Sequence, residues 1–172
     1  MNLANKITTF RIILIPLFLV LIYCDFKYHT LVATSIFIFA AITDWLDGYI
    51  ARSRNQVTKF GKFLDPLADK LMVIAALISL VELNRVDGWI VMVIIARELI
   101  ITGLRAVAAS DGIVIAASKW GKFKTVTQMV AVVASLINFP YYNVLVIIAL
   151  ITTVISGVDY IIKNKQVLNT KR

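Results

Sequence analysis

The sequence predicts an all-α fold, an integral membrane bundle of six transmembrane helices with both termini in the cytoplasm. Three observations lead there. Apolar residues make up 60% of the 172 residues and charged residues 16%, against about 45–50% and about 25% in soluble domains. Six apolar stretches, separated by short polar breaks, approach the roughly 20 residues that a spanning helix needs. The Lys and Arg residues crowd into alternate breaks, and such a bias orients a bundle with its basic loops inside. The same composition excludes a disordered chain, which would be poor in apolar residues. It also excludes a disulfide scaffold, since Cys24 is the only cysteine.

The first run, Ile7–Tyr23, holds Pro16 and lacks a small-residue cleavage pattern, so it reads as a span and not a secretory signal. Polar and turn residues from Asp25 to His29 end it. The second run, Thr30–Ala51, leads into Arg52 and Arg54; the third, Leu64–Val81, follows Lys59 and Lys62 and stops at Glu82. The fourth, Gly88–Ala109, is followed by a basic segment containing Lys119, Lys122 and Lys124. The fifth, Thr125–Phe139, breaks at Pro140, and the sixth, Tyr141–Ile162, gives way to Lys163 and Lys165. Some runs are shorter than a bilayer requires, so their helices are expected to begin in the polar flanks. No repeat or low-complexity tract interrupts the chain, and residues 1–172 read as one domain.

Of the eighteen cations, fourteen share one side of such a bundle, including Lys6, Arg11, Arg105 and the tail residues Lys171 and Arg172. The other side receives Lys27 and Arg85, and Lys70 and Arg97 fall inside runs. The basic side is therefore cytoplasmic, and the net charge of +8 suits a face that meets anionic lipid headgroups.

Ionisable groups inside apolar runs are costly and point to function. Run two holds Asp44 and Asp47, run three holds Asp65, Asp69 and Lys70, and run four holds Arg97 and Glu98. Spacings of three and four put each aspartate pair on one helix face. Asp44 lies roughly 12–15 Å above the cytoplasmic end of its run at 1.5 Å per residue, and Asp69 comes to about the same depth. Helices joined by a short loop are expected to be antiparallel neighbours, so the two pairs would face one cavity open to the cytoplasm. Four carboxylates in a low-dielectric place must either be protonated or be compensated by cations. Oxygen-only donors favour Mg²⁺, Mn²⁺ or Ca²⁺, and two divalent ions would match four negative charges. Two-metal carboxylate sites clamp phosphoryl oxygens during displacement. A competing reading makes these residues caps and salt bridges. It suits Asp65, whose successor Pro66 would occupy the first helical position, but it leaves the other three unaccounted for. Gly48, Ala51 and Gly61 would admit a flat or bulky group close to the backbone, or equally let helices pack closely.

These residues spell a signature. Asp44-Trp-Leu-Asp47-Gly48-Tyr-Ile-Ala51-Arg52 is followed after eight residues by Gly61, after three by Asp65 and after three by Asp69. All eight fixed positions match the motif of the CDP-alcohol phosphatidyltransferase family, which the chain resembles along nearly its whole length. Asn5, Thr8, Arg11 and Pro16 are similar to the opening of bacterial members. The segment Ala96 to Arg105, with Thr102 and Gly103, and the segment Ala117 to Thr125 resemble the branch that makes phosphatidylglycerophosphate.

The resemblance implies a six-span membrane enzyme of the bacterial plasma membrane, a homodimer with its active site on the cytoplasmic side. It implies transfer of a phosphatidyl group from CDP-diacylglycerol to sn-glycerol 3-phosphate with release of CMP, and no nucleic-acid partner. Asp44, Asp47, Asp65 and Asp69 would hold Mg²⁺ or Mn²⁺, two per site, and Asp69 would also serve as general base. Gly48, Ala51, Arg52 and Gly61 would bind CDP.

The acceptor is an anion and needs cations of its own. Arg holds phosphate in a bidentate geometry and Lys as a point charge, which nominates Arg105, Lys122 and Lys124, with Arg97 and Lys119 in reserve. Glu98 and Arg105 are seven apart and closely aligned on a helix, so Glu98 is expected to orient Arg105. For the lysines the competing reading is interface anchoring, and for Arg97 and Glu98 an internal ion pair. Another acceptor alcohol (inositol phosphate, serine or phosphatidylglycerol) would use the same chemistry. A divalent-cation channel is disfavoured because the carboxylates cluster toward the cytoplasmic half, and a non-catalytic scaffold would leave the acids unexplained. His29 is expected to be solvated in an outer loop, and Cys24 to be packed.

Overall fold

The computed structural model describes residues 3–54, 59–110, 112–113, 115 and 118–165, without the side chains of residues 3–8, 44–54, 59–67 and 69. Among the described residues all regular structure is helical: α1 (Leu3–Tyr23), α2 (His29–Arg54), α3 (Lys59–Glu82), α4 (Gly88–Ser110), α5 (Lys119–Leu136) and α6 (Tyr142–Lys163). The six helices correspond one for one to the six apolar runs. As expected, several begin in polar flanks. α5 starts six residues before its run, because Ser118 caps it: the Ser118 hydroxyl accepts the Gly121 amide at 3.0 Å, which satisfies one of the orphan donors of a helix start. α3 starts at Lys59, so Asp65 and Pro66 lie within its helical backbone and the reading of Asp65 as an N-cap fails.

The helices group into two compact units, Met1–Leu83 and Asn84–Arg172. In the first, α1 packs against both α2 and α3, which also touch each other. The buried rows follow helical spacing: Leu14, Phe18 and Ile22 on α1, Ala33, Phe37 and Ala40 on α2, and Ala68, Met72, Ala76 and Leu80 on α3. Phe18 and Phe37 meet with ring centroids 6.4 Å apart. Polar bonds fix the helix ends. The Tyr23 hydroxyl donates to Glu82 Oε2 at 2.8 Å and lies 3.3 Å from Ser79 Oγ, tying the end of α1 to the end of α3. His29 is half-buried, with Nδ1 2.9 Å from the Ile22 carbonyl, so it joins α2 to the last turn of α1 instead of standing free in solvent. Cys24 is exposed, contrary to the expectation that it packs.

In the second unit α5 and α6 form a helical hairpin and α6 also packs against α4. α5 ends in a Schellman turn: Asn138 has φ 54°, its amide donates to Ser135 O at 3.2 Å, and the Phe139 amide donates to Ala134 O at 2.9 Å. Asparagine is one of the few side chains that tolerate this left-handed position. Arg85 then donates to the Ser135 and Leu136 carbonyls at 2.8 and 2.5 Å. A cation on the exposed carbonyls of a helix end is favoured by hydrogen bonding and by the helix dipole. The buried face of α6 consists of small or hydroxylated residues over Thr152, Thr153, Ser156 and Gly157, and Thr152 pairs with Thr127 of α5 at 2.8 Å.

Large apolar residues stay exposed on every helix, among them Val20 on α1, Phe39 on α2, Ile78 on α3, Met92 and Ile100 on α4, Val126 on α5 and Ile147, Ile151 and Val158 on α6. A water-soluble monomer rarely exposes such continuous apolar surface. α6 is long and apolar enough to cross a membrane; its 22 residues span about 33 Å, against about 30 Å of hydrocarbon. Arg85→Ala should lower the thermal midpoint of the detergent-solubilised protein, because it strips two carbonyls of a charged donor. The expected cost is about 1.5–3 kcal/mol. Tyr23→Phe, at a more exposed junction, should lower the midpoint less. Equal midpoints for Arg85→Ala and wild type in a scanning fluorimetry series would show that the cap contributes nothing.

Candidate active site

Asp44, Asp47, Gly48, Ala51 and Arg52 lie on the helical backbone of α2, and Gly61, Asp65 and Asp69 on that of α3. On these continuous helices 44, 47, 48 and 51 fall along one face, and 61, 65 and 69 form a row with a step of four. The side chains of these eight signature positions lie outside the described residues. Among the described residues no three of His, Cys, Asp or Glu gather into a metal-binding group. The remaining acids of the chain, Asp25, Glu82, Asp87, Glu98, Asp111 and Asp159, are dispersed. The four helical aspartates offer an oxygen-only donor set, which fits a hard divalent cation.

The second unit carries a charged cluster, built by α4, α5 and α6. Arg97 and Glu98 sit on α4, where Arg97 Nη1 lies 3.2 Å from Glu98 Oε1. The same carboxylate oxygen takes the Lys124 ammonium from α5. Lys124 is only 4% exposed, so the pairing is what allows its charge to be buried. Arg97 Nη2 donates to Ser156 Oγ of α6 at 2.6 Å. Gly157 makes room for this: a Cβ there would stand 3.2 Å from Arg97 Cγ. One turn on, Tyr160 is buried at 4% exposure, with the Arg105 and Arg97 charges near its hydroxyl. Arg105 itself is exposed, with a 3.3 Å bond from Nη2 to the Ile115 carbonyl. Asp159 pairs with Lys163 at 2.7 Å, an i,i+4 pair.

Of the five cations nominated for the acceptor, the structure brings Arg97 and Lys124 together on Glu98, while Arg105 is exposed on the same helix as Arg97. Lys119 and Lys122 stand exposed in the first turn of α5. Glu98 grips Arg97 and Lys124, where the seven-residue alignment had pointed to Arg105. The internal ion pair between Arg97 and Glu98 is present and extends to a third charge. Ser156, Gly157 and Tyr160 are residues that reading the sequence missed, because run six was taken as a plain span. The signal was there: Thr152, Thr153, Ser156, Gly157, Asp159 and Tyr160 are small or polar residues at helical spacing in an otherwise apolar run.

Removing Glu98 leaves two cations without their shared carboxylate. Glu98→Gln should destabilise by about 3–5 kcal/mol, the usual cost of breaking a buried pair, read as a lower thermal midpoint in detergent. The double variant Glu98→Gln with Lys124→Met should recover part of that loss, since the stranded buried charge is gone. A double variant no more stable than Glu98→Gln would show that Lys124 does not depend on Glu98.

Comparison with known proteins bears on both sites. The sequence profile of the CDP-alcohol phosphatidyltransferase family matches residues 1–155. A protein of Bacillus subtilis (strain 168) named CDP-diacylglycerol–glycerol-3-phosphate 3-phosphatidyltransferase is 45% identical, over 98% of this chain and 98% of its own. Proteins of the same name from Haemophilus influenzae and Pseudomonas fluorescens are each 42% identical, over 93% and 91% of this chain and 91% and 83% of theirs. With its signature complete on α2 and α3, and a match that runs through both units, the chain belongs to the CDP-alcohol phosphatidyltransferase family.

Proposed function

We propose that this chain is the enzyme that transfers the phosphatidyl group of CDP-diacylglycerol to sn-glycerol 3-phosphate, giving phosphatidylglycerophosphate and CMP. The observation that carries this reading is the 45% identity, over 98% of both chains, to a relative bearing the name of that activity. The complete aspartate signature and the cationic cluster of α4–α6 agree with it chemically.

The donor falls to residues of α2 and α3. A divalent metal, Mg²⁺ or Mn²⁺ and two per site, held by Asp44, Asp47, Asp65 and Asp69, would neutralise and polarise the diphosphate. Gly48, Ala51, Arg52 and Gly61 hold the CDP moiety, the small residues by leaving the backbone approachable. Asp69 accepts the proton of the attacking glycerol hydroxyl as a general base, and the hydroxyl oxygen displaces CMP at the β-phosphorus. Holding donor and acceptor in line supplies much of the rate. The acceptor's phosphate falls to Arg105, with Lys122 and Lys119 free in the first turn of α5 to draw the anion in. Arg97 and Lys124, held by Glu98, contribute positive field from fixed positions.

In the membrane all six helices span the bilayer as one domain of residues 1–172, with both termini and the basic breaks in the cytoplasm. The exposed apolar faces meet lipid, which puts the donor, itself a lipid, within reach of the bundle. The protein works as a homodimer in a bacterial plasma membrane containing anionic lipid.

Purified protein with Mg²⁺ or Mn²⁺, CDP-diacylglycerol and a panel of alcohols should release CMP and form phosphatidylglycerophosphate with glycerol 3-phosphate. Turnover of serine or inositol phosphate in its place would reassign the acceptor. Asp69→Asn should bind CDP-diacylglycerol yet turn over about 10²–10⁴-fold more slowly, and near wild-type turnover would remove its role as base. The topology is checked by the single cysteine. Cys24 is exposed and lies in the first outer loop of the six-span arrangement, so a membrane-impermeant maleimide should label it in intact cells. Labelling only after permeabilisation would invert the orientation.

A further inference from the structure

We infer that the outward face of α5 docks an anionic phospholipid of the cytoplasmic leaflet, with the lipid phosphate on Lys119 and Lys122 and an acyl chain along Phe123, Val126, Val130 and Val133. This rests on the membrane arrangement proposed above and adds a lipid site to it.

The first turns of α5 send three lysines in two directions. Lys124 is buried and goes to Glu98. Lys119 and Lys122 are exposed and make no hydrogen bond or ion pair among the described residues. By contrast, Lys163 pairs with Asp159 at 2.7 Å and Lys27 lies 5.5 Å from the centre of the Tyr28 ring. Cations at a helix start also stand against the helix dipole, which favours negative charge there, and the first turn of α5 holds no acid. An anion from outside the chain meets both demands.

What continues from the two lysines is apolar. At 100° per residue, positions 119, 122, 123, 126, 130 and 133 fall within an arc of about 100°. Phe123, Val126 and Val130 are exposed, Val133 is half-buried, and no charged residue follows Lys124 in α5. The opposite face, with Lys124, Gln128, Ala131 and Ser135, is buried. Where the charged and apolar parts meet, the exposed rings of Trp120 and Phe123 stand edge to face with centroids 6.3 Å apart. Cations, then aromatic rings, then aliphatic side chains is the order of groups across the edge of a bilayer. The lengths agree as well. One leaflet holds about 15 Å of hydrocarbon, half of the full core, and the rise from Phe123 to Val133 is about 15 Å. Charge also selects the occupant. A second copy related by a two-fold axis along the membrane normal would bring the same lysines of both copies together, whereas an anionic lipid neutralises them.

The test uses the full chain in detergent, titrated with phosphatidylglycerol or with phosphatidylcholine of the same acyl chains, with bound lipid counted by native mass spectrometry. Phosphatidylglycerol should bind more tightly. Lys119→Gln and Lys122→Gln should each weaken its binding about 5-fold, and the double variant about 30-fold, the worth of one and two lysines at an anionic lipid surface. Binding of phosphatidylcholine should not change. Equal affinity of wild type and double variant for phosphatidylglycerol overturns the inference. The apolar half is read in vesicles, where bromine on lipid chains quenches nearby tryptophan. The difference between wild type and Trp120→Phe isolates Trp120 from Trp45 and Trp89. Brominated phosphatidylglycerol should quench Trp120 more than brominated phosphatidylcholine at the same fraction, and the double lysine variant should lose that preference. No preference in wild type overturns the inference. Two other occupants are checked directly. Disulfide-linked dimers of a Cys24→Ser, Val126→Cys variant in oxidised membranes would place a second copy on this face and overturn the lipid assignment; a monomeric product supports it. Lys119 and Lys122 are also the lysines assigned above to drawing in the acceptor, a long-range effect that needs no bound phosphate. Excess glycerol 3-phosphate should therefore leave the lipid in place, and displacement would give the lysines to the free phosphate and overturn the inference. Binding is read without turnover, so a wrong acceptor leaves these outcomes in force, and labelling of Cys24 tests the orientation by itself.

Discussion

The second unit is organised by one carboxylate oxygen. Glu98 Oε1 receives Arg97 from its own helix and Lys124 from α5, and Arg97 in turn reaches Ser156 on α6. Three helices are thereby joined through one acceptor. The interaction is costly to desolvate, and a pair of this kind contributes more to uniqueness of packing than to net stability. Its consequences are specific. With Arg97 reaching across to Ser156, α6 must present small or hydroxylated residues where Arg97 passes. Gly157 meets that demand, as a Cβ at 3.2 Å from the Arg97 stem would crowd it.

The same constraint explains the inverted look of the helices. Hydroxyl groups of Thr152, Thr153 and Ser156 face inward on α6 and isoleucines and valines face outward. In a hydrocarbon surrounding, polar groups are satisfied within the bundle and apolar side chains gain nothing by hiding. Thr153 bonds the carbonyl four residues back at 2.6 Å, and Thr152 pairs with Thr127. Arg85, at the far end of the hairpin, applies the rule to backbone: it donates to the Ser135 and Leu136 carbonyls at the end of α5.

How much of this the sequence reveals depends on the range of the interaction. Helix number and order are legible because each apolar run is a local property. Helix ends are less so. Run five gives no hint that Ser118 caps a helix through Lys119–Lys124, since amphipathic lysines are compatible with either helix or loop. For α3 a local rule misleads: Asp65-Pro66 has the form of a helix start, yet the helical backbone begins at Lys59. A proline inside a helix removes one backbone bond, a loss that surrounding tertiary structure outweighs here. Glu98 shows the same limit in the site. Alignment on one helix pairs it with Arg105, but the carboxylate goes to Lys124, twenty-six residues away, and no spacing rule reaches across helices. The aspartate signature is legible as chemistry because its spacing is confined to two helices.

Charge is divided between the units in a way that suits a reaction between two anions. Residues 1–83 carry eight Lys and Arg against six Asp and Glu, a surplus of two, and four of those acids are the signature aspartates. Residues 84–172 carry ten against four, a surplus of six, and the two together make the +8 of the chain. A donor diphosphate is held through cations that carboxylates recruit, so the donor side needs acids in its walls. An acceptor phosphate gains nothing from carboxylates and must be met by Arg, Lys and hydroxyl donors. Among the described residues of the cationic cluster, the acid Glu98 is shared by Arg97 and Lys124. Its negative charge is met by those two cations where it stands.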